Sequence, residues 1–227
     1  MDLSPETLLH NRYRIIKKLG QGGMGAVYLA RDLSLESDVA VKVNQTPSEE
    51  STTQFLREAR LLANLRHPNL PRVIDYFLLE GAQYLVMDFI PGDDLLSKVE
   101  REGAQPVELV LRWAEQLGSA LKYLHSQNPP VIHRDIKPAN IKITPEGQPV
   151  LVDFGIAKAA NPEQMTAAGA AGYTPGYAPP EQYGTGRTGP YSDQYALAAT
   201  LYMVLTGQRP VDSVQRVLGK AVLSPAH

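Results

Sequence analysis

The residues best suited to chemistry are gathered in the stretch 133–140, His-Arg-Asp-Ile-Lys-Pro-Ala-Asn. It brings a carboxylate at Asp135, an ammonium at Lys137 and an amide oxygen at Asn140 close together. Moving a phosphoryl group to a hydroxyl needs this set: Asp135 to hold the hydroxyl, Lys137 to meet the travelling phosphate, Asn140 to ligate a magnesium ion. His-Arg-Asp alone is an ordinary surface tripeptide, so its company decides the reading. A second acid, Asp153, opens Asp-Phe-Gly directly after the apolar run Val150-Leu151-Val152. That run follows a turn of Pro145, Glu146 and Gly147, the pattern of a short hairpin.

Other elements must hold these groups. Residues 13–19 and 26–30 alternate apolar with polar or basic side chains and read as strands. Between them Gly20, Gly22 and Gly25 stand in a G-x-G-x-x-G pattern, a glycine hairpin whose backbone N–H groups can approach phosphates. A dinucleotide-binding turn shares those letters but needs a helix next, and here a strand follows. Val39-Ala40-Val41-Lys42 is a further apolar strand ending in a cation. Residues 55–65 read as a helix with Phe55, Ala59, Leu62 and Leu65 on one stripe. Glu58 lies within that helix, whereas Glu49 and Glu50 fall at its start, where carboxylates suit the dipole. Strands are expected at 72–78 and 83–88, and a helix from Pro106 to His125 with Val110, Ala114, Leu117, Leu121 and Leu124 inward. Asp193 opens an apolar helix over 195–205, ended by Gly207 and Pro210.

The ordered set resembles the protein-kinase catalytic domain: the glycine-rich hairpin, Val-Ala-Val-Lys, the His-Arg-Asp loop with Ile136 for leucine, Asp-Phe-Gly, and Tyr-Ala-Pro-Pro-Glu at 177–181 with Pro179 for alanine. The resemblance runs from Tyr13 to Pro210 and is similar in wording to the bacterial branch of the eukaryotic-type serine/threonine kinases. It implies an α+β, bilobal fold: an antiparallel sheet with helix C over 1–90, and a mostly helical lobe over 91–227, with ATP between them. It further implies ATP and Mg2+ as cofactors, with Mn2+ as a substitute, and the γ-phosphoryl group passing to serine or threonine of a protein substrate. Lys42, fixed by Glu58, would meet the phosphates; Asp135 and Lys137 would serve the transfer; Asn140 and Asp153 would hold metal. Leu19, Gly20, Gln21, Gly22, Gly25, Val27, Ala40, Met87, Asp88, Ile90, Asp94 and Lys142 would line the nucleotide. Plain core is the other reading of Met87, and Asp94 reads equally as the cap of the following helix. Thr174 aligns with the threonine that packs on the catalytic aspartate and lysine, residues 156–176 with an activation loop, and Asp193 with a brace for the catalytic-loop backbone. A phosphate on Thr166 would pair with Arg134.

Two departures from the family pattern stand out. Lys142 occupies a position where the family places an apolar residue beneath adenine, so its aliphatic stem has to do that packing. The chain also ends at His227, shortly after the helix opened by Asp193, where the family continues with helices that carry an arginine partner for Glu181. A truncated lobe of that kind exposes apolar surface and favours self-association. It also keeps open an impaired, pseudokinase-like nucleotide-binding scaffold as the alternative. A small-molecule phosphotransferase fits less well, because the segment 155–181 is built to present a polypeptide.

Composition agrees with a globular enzyme and excludes several other classes. The 227 residues are 43% hydrophobic with a formal net charge of -2, which gives no basic field for nucleic acid. There is no cysteine, so neither disulfides nor thiolate catalysis arise. The amino terminus lacks a basic region followed by an apolar run, and no stretch reaches membrane-spanning length, so a cytoplasmic location is expected for these residues.

Overall fold

The computed structural model describes residues 3–22, 25–44, 49–153, 173–183 and 186–223. Phe154, Gly155, Thr166 and most of the expected activation loop lie outside them, as do Gly23 and Met24. The chain forms two compact units, one from residues up to Arg66 with Pro71–Ile90, the other from His67–Leu70 with the described residues from Pro91 onward.

The first unit is an antiparallel sheet of β1 (Leu8–Leu9), β2 (Tyr13–Gly22), β3 (Gly25–Asp32), β4 (Ser37–Asn44), β5 (Val73–Leu79) and β6 (Ala82–Asp88), in the order β1-β2-β3-β4-β6-β5. Alternation along the strands gives it two faces. One face gathers Tyr13, Ile15, Tyr28, Val39, Val41, Phe77 and Val86 into a core, each apolar side chain contributing about 1.5–3 kcal/mol by leaving water. On the other, Val27 pairs with Lys42 and Lys42 with Leu85, while Leu29 pairs with Ala40 and Ala40 with Met87. The helix α1 (Glu49–Ala63) packs on β5 and β6 and buries Phe55, Ala59 and Leu62. It starts at Glu49, ahead of the apolar stripe.

The second unit is mostly helical, with α2 (Leu95–Glu102), α3 (Val107–His125), a hairpin of β7 (Ile141–Ile143) and β8 (Pro149–Leu151), α4 (Pro190–Thr206) and α5 (Ser213–Val217). The inward face of α3 carries Trp113 where the sequence pattern suggests Ala114. Trp113 is fully buried and its indole N–H donates to the Gly147 carbonyl at 3.0 Å, which fastens the hairpin turn to the helix. Gly207, left-handed at φ 68°, ends α4. Among the described residues no helix is long and apolar enough to cross a membrane.

Candidate active site

In the first unit Val27, Ala40, Lys42 and Met87, among the expected nucleotide residues, share one sheet face. Strand register sets Val27 directly across from Lys42, and Ala40 directly across from Met87. The glycine hairpin closes with Gly22 opposite Gly25, and Gly20 pairs with Val27. Gly25 has φ +143°, and a Cβ there would stand 1.9 Å from the Val43 carbonyl oxygen, so only glycine fits. Leu19, Gly20 and Gln21 are exposed along this end of β2. Glu58 falls within α1, but its side chain is outside those described. At the end of β6, Asp88 is tied to the start of β5: its carboxylate accepts from Arg72 Nε at 2.9 Å and its N–H donates to the Arg72 carbonyl at 3.0 Å. Ile90 ends this unit.

In the second unit, α2 begins at Asp94, whose carboxylate accepts from the Ser97 N–H at 2.9 Å and from the Ser97 hydroxyl at 2.8 Å. This is the capping role. The segment before it lies against β7, with the Ile143 N–H donating to the Asp93 carbonyl at 2.9 Å and Asp94 bridged to Lys142. The approach requires Gly92, where φ is +101° and a Cβ would stand 2.0 Å from the Ile143 carbonyl oxygen. Lys142 is half-buried and alternates with the fully buried Ile141.

The catalytic-loop residues are drawn together within this unit. Asn140 lies in a 3-10 turn, Pro138–Asn140, and its amide nitrogen donates to the Asp135 carbonyl at 2.7 Å and to Asp135 Oδ2 at 3.0 Å. Lys137 Nζ stands 3.1 Å from the same Oδ2 and 3.2 Å from Thr174 Oγ1. Thr174 Oγ1 lies 3.5 Å from Asp135 Oδ1. A carboxylate, an ammonium and an amide from one stretch and a hydroxyl from another thus form one polar cluster.

The backbone beneath the cluster is held from α4. Asp193, 1% exposed, accepts the N–H groups of His133 and Arg134 at 2.9 Å each, and meets His125 Nε2 at 2.9 Å. Arg134 is left-handed at φ 66°, a conformation costing about 1–2 kcal/mol in a residue with a side chain. Two hydrogen bonds to a carboxylate, about 1.5–3 kcal/mol each, are sufficient to hold it. The sequence resemblance assigns Asp193 this brace, and the geometry agrees.

His133 is fully buried, and burial pushes its imidazole below the usual value against the raising pull of Asp193, Asp135 and Asp153. Nδ1 lies 3.4 Å from the Asp135 N–H and Nε2 lies 3.2 Å from the Val152 carbonyl, so the neutral ring with its proton on Nε2 satisfies both neighbours. The Val152 N–H donates to the Asn140 carbonyl at 2.9 Å. The loop and the strand leading to Asp153 are therefore hydrogen-bonded to each other at two points. Asp153 itself is left-handed at φ 62°.

A metal requirement fits this donor set. Asn140 commits its amide nitrogen to Asp135, which leaves Oδ1 as the atom of that side chain able to meet a cation. Among the described residues no three His, Asp or Glu side chains cluster as a self-sufficient metal site. Magnesium takes one or two protein oxygens and completes its shell with phosphates and water, so an oxygen such as Asn140 Oδ1 would suit it.

Several partners were not legible in sequence. His125 on Asp193 joins residues far apart in the chain, as does Gln182, whose amide donates to the Arg134 carbonyl at 3.1 Å. Glu181 accepts the Ser192 hydroxyl at 2.6 Å. Arg134 Nε donates to Thr188 Oγ1 at 3.1 Å.

Comparison with known proteins agrees with this geometry. The family model described as protein kinase domain matches residues 13–222. The chain is 39% identical over 210 residues to serine/threonine-protein kinase PknA of Mycobacterium tuberculosis, covering 89% of this chain and 48% of PknA. It thus spans less than half the length of that relative. The kinase domain of PknI from M. tuberculosis superposes with a TM-score of 0.75 at 30% identity, covering 94% of this chain and 81% of that one. Rad53 residues 1–466, solved in complex with AMP-PNP, gives a TM-score of 0.70 at 27% identity, covering 88% of this chain and 49% of that one. The fold is accordingly the α+β, bilobal kinase fold, and the chain belongs to the protein kinase domain family, alongside bacterial serine/threonine kinases of the eukaryotic type.

Proposed function

We propose that the chain transfers the γ-phosphoryl group of Mg-ATP to serine or threonine hydroxyls of protein substrates. The single observation that carries this is the cluster of Asp135, Lys137, Asn140 and Thr174, with Lys137 Nζ at 3.1 Å from Asp135 and 3.2 Å from Thr174. Asp135 accepts the proton of the attacking hydroxyl. Lys137 offsets negative charge on the phosphoryl group in transit, and Thr174 holds Lys137 and Asp135 in register. Such catalysis is positioning and electrostatics, so a preformed cluster is the main requirement.

Residues of the first unit serve the nucleotide in this reading. Lys42, positioned by Glu58, meets the α and β phosphates, and the glycine hairpin lends its N–H groups. Val27, Ala40 and Met87 give an apolar face to adenine, and backbone groups of Asp88 and Ile90 bond its edge. The Asp88 N–H is already used by Arg72, so the Asp88 carbonyl and the Ile90 backbone take that task. In the second unit Asn140 and Asp153 would hold magnesium, which neutralises phosphate charge when bound. The aliphatic stem of Lys142 packs beneath adenine, and Asp94 serves the ribose from its capping position. The AMP-PNP complex of Rad53 supports a nucleotide in this fold. ATP use and the absence of cysteine both suit the cytoplasm.

The test is incubation with γ-labelled ATP, magnesium and a general protein acceptor, followed by acid hydrolysis of the product. Label on phosphoserine or phosphothreonine is the expected result. Label confined to phosphotyrosine, or to a small-molecule acceptor, would refute the assignment.

A further inference from the structure

Arg134 joins two peptide planes, and each is held by a different part of the chain. Its N–H, in the plane before it, donates to Asp193 Oδ1 at 2.9 Å. Its carbonyl, in the plane after it, accepts from Gln182 Nε2 at 3.1 Å. Peptide groups are rigid, so fixing both planes sets the two torsions of Arg134 together, with φ left-handed at 66°. Asp193 is an acceptor and does nothing for the carbonyl. The second plane also carries the Asp135 N–H, which lies 3.4 Å from His133 Nδ1, a long contact that restrains it little. Among the described residues no donor other than Gln182 reaches the Arg134 carbonyl.

Gln182 acts from a fixed platform. It lies in the 3-10 turn Pro180–Tyr183, where its own N–H donates to the Pro179 carbonyl at 3.0 Å. The residues on either side are both tied down: Glu181 accepts the Ser192 hydroxyl at 2.6 Å, and the Tyr183 hydroxyl donates to Asp212. The same stretch includes Thr174, whose Oγ1 meets Lys137 Nζ at 3.2 Å and lies 3.5 Å from Asp135 Oδ1. The segment 174–183 therefore grips Asp135 twice, at its side chain through Thr174 and at the peptide before it through Gln182.

We propose that Gln182 is a positioning residue for phosphoryl transfer: its side-chain amide sets the peptide plane between Arg134 and Asp135, and with it the aim of the Asp135 carboxylate. The inference rests on the kinase reading above. The donor is the essential feature, because a carbonyl needs one and an apolar or anionic side chain has none to offer. Its loss frees the second torsion of Arg134 and lets the left-handed backbone relax. Asp135 then spends less time where an acceptor hydroxyl can meet it, and the transfer step slows. ATP binding does not depend on that plane.

The experiment measures kcat and the KM for ATP, with a general protein acceptor, in wild type, Gln182→Met and Gln182→Glu from about pH 5 to about pH 8, beside the urea midpoint of each. Methionine keeps the length of the side chain and removes the donor. Its kcat is expected to fall about tenfold at every pH, the equivalent of one hydrogen bond, with the KM for ATP unchanged. Glutamate lacks the donor when ionised and regains it when protonated. The rate of Gln182→Glu relative to wild type should therefore climb about threefold to tenfold from the alkaline to the acid end, as the carboxyl nears its titration range, while the Gln182→Met ratio stays level. Dividing by the wild-type rate at each pH cancels the titration of the nearby acids Asp135, Glu181, Asp193 and Asp212. A wild-type kcat in Gln182→Met, a loss confined to the KM for ATP or to the urea midpoint, or a level Gln182→Glu ratio overturns the proposal while the kinase reading stands. If Gln182→Met does not fold, the Gln182→Glu ratio decides alone. No label from the wild type overturns the kinase reading, and this proposal falls with it.

Discussion

The amide nitrogen of Asn140 donates to both the carbonyl and Oδ2 of Asp135, at 2.7 Å and 3.0 Å. One side chain thus aims the carboxylate and leaves its own oxygen for the magnesium that the proposed reaction needs. Replacing it with alanine removes both functions at once. Asn140→Ala is expected to lower phosphoryl transfer by about a hundredfold or more. Initial rates across a magnesium titration check this, and a rate fully restored by high magnesium would show that aiming of Asp135 is unimportant.

Asp193 answers three buried or half-buried donors: the His133 and Arg134 N–H groups and His125. Truncation leaves them without an acceptor in a site too tight for ready solvation. Asp193→Ala should therefore cost about 3–5 kcal/mol of stability, with Asp193→Asn costing less. Urea unfolding reads the difference, and an unchanged midpoint in the alanine variant would contradict the bracing role.

Burial holds His133 below the usual imidazole value of 6.5, so the native state resists its protonation while the unfolded chain does not. Above that value both states are neutral and the contribution to stability is complete. As pH falls below it, the unfolded state gains a proton that the native state lacks, and stability drops by about 1.4 kcal/mol per unit. His67, lowered by the same cause, adds in the same direction. In His133→Phe, plots of unfolding free energy below pH 6.5 should fall less steeply with acid than in wild type. A slope identical to wild type would place the acid sensitivity elsewhere.

Much of this site is legible in the sequence because kinase chemistry demands particular residue types at particular spacings. Asp135, Lys137 and Asn140 are local in the chain, and Lys42 follows from strand alternation beside a glycine hairpin. Asp94 as a cap is legible for the same local reason. What escapes is packing between distant stretches. Trp113 shares the helical period of α3 with Val110 and Leu117, yet nothing local predicts its bond to Gly147. Arg134 with Thr188, and Glu181 with Ser192, depend on how the 3-10 turn Pro180–Tyr183 and the start of α4 return to the catalytic loop. No periodicity encodes that return.

Lys142 is the residue at which the proposed nucleotide site departs most from an apolar floor. Its β7 neighbour Ile141 is fully buried on the opposite side of the strand. Lys142→Leu should replace a charged head that must be kept solvated with a side chain content to be covered. The KM for ATP is expected to fall roughly threefold to tenfold, about what burying one or two further methylenes contributes, with kcat little changed. An increased KM would mean that the ammonium itself binds nucleotide.

The most direct test of the account is transfer from γ-labelled ATP by Asp135→Asn beside wild type, with nucleotide affinity measured on both. Asparagine keeps the shape of the side chain and the neighbours Lys137 and Asn140, but it cannot accept the hydroxyl proton. The account predicts that transfer to serine and threonine is abolished while ATP affinity stays within a few-fold of wild type. Substantial turnover by Asp135→Asn would contradict the assignment of Asp135 as the base.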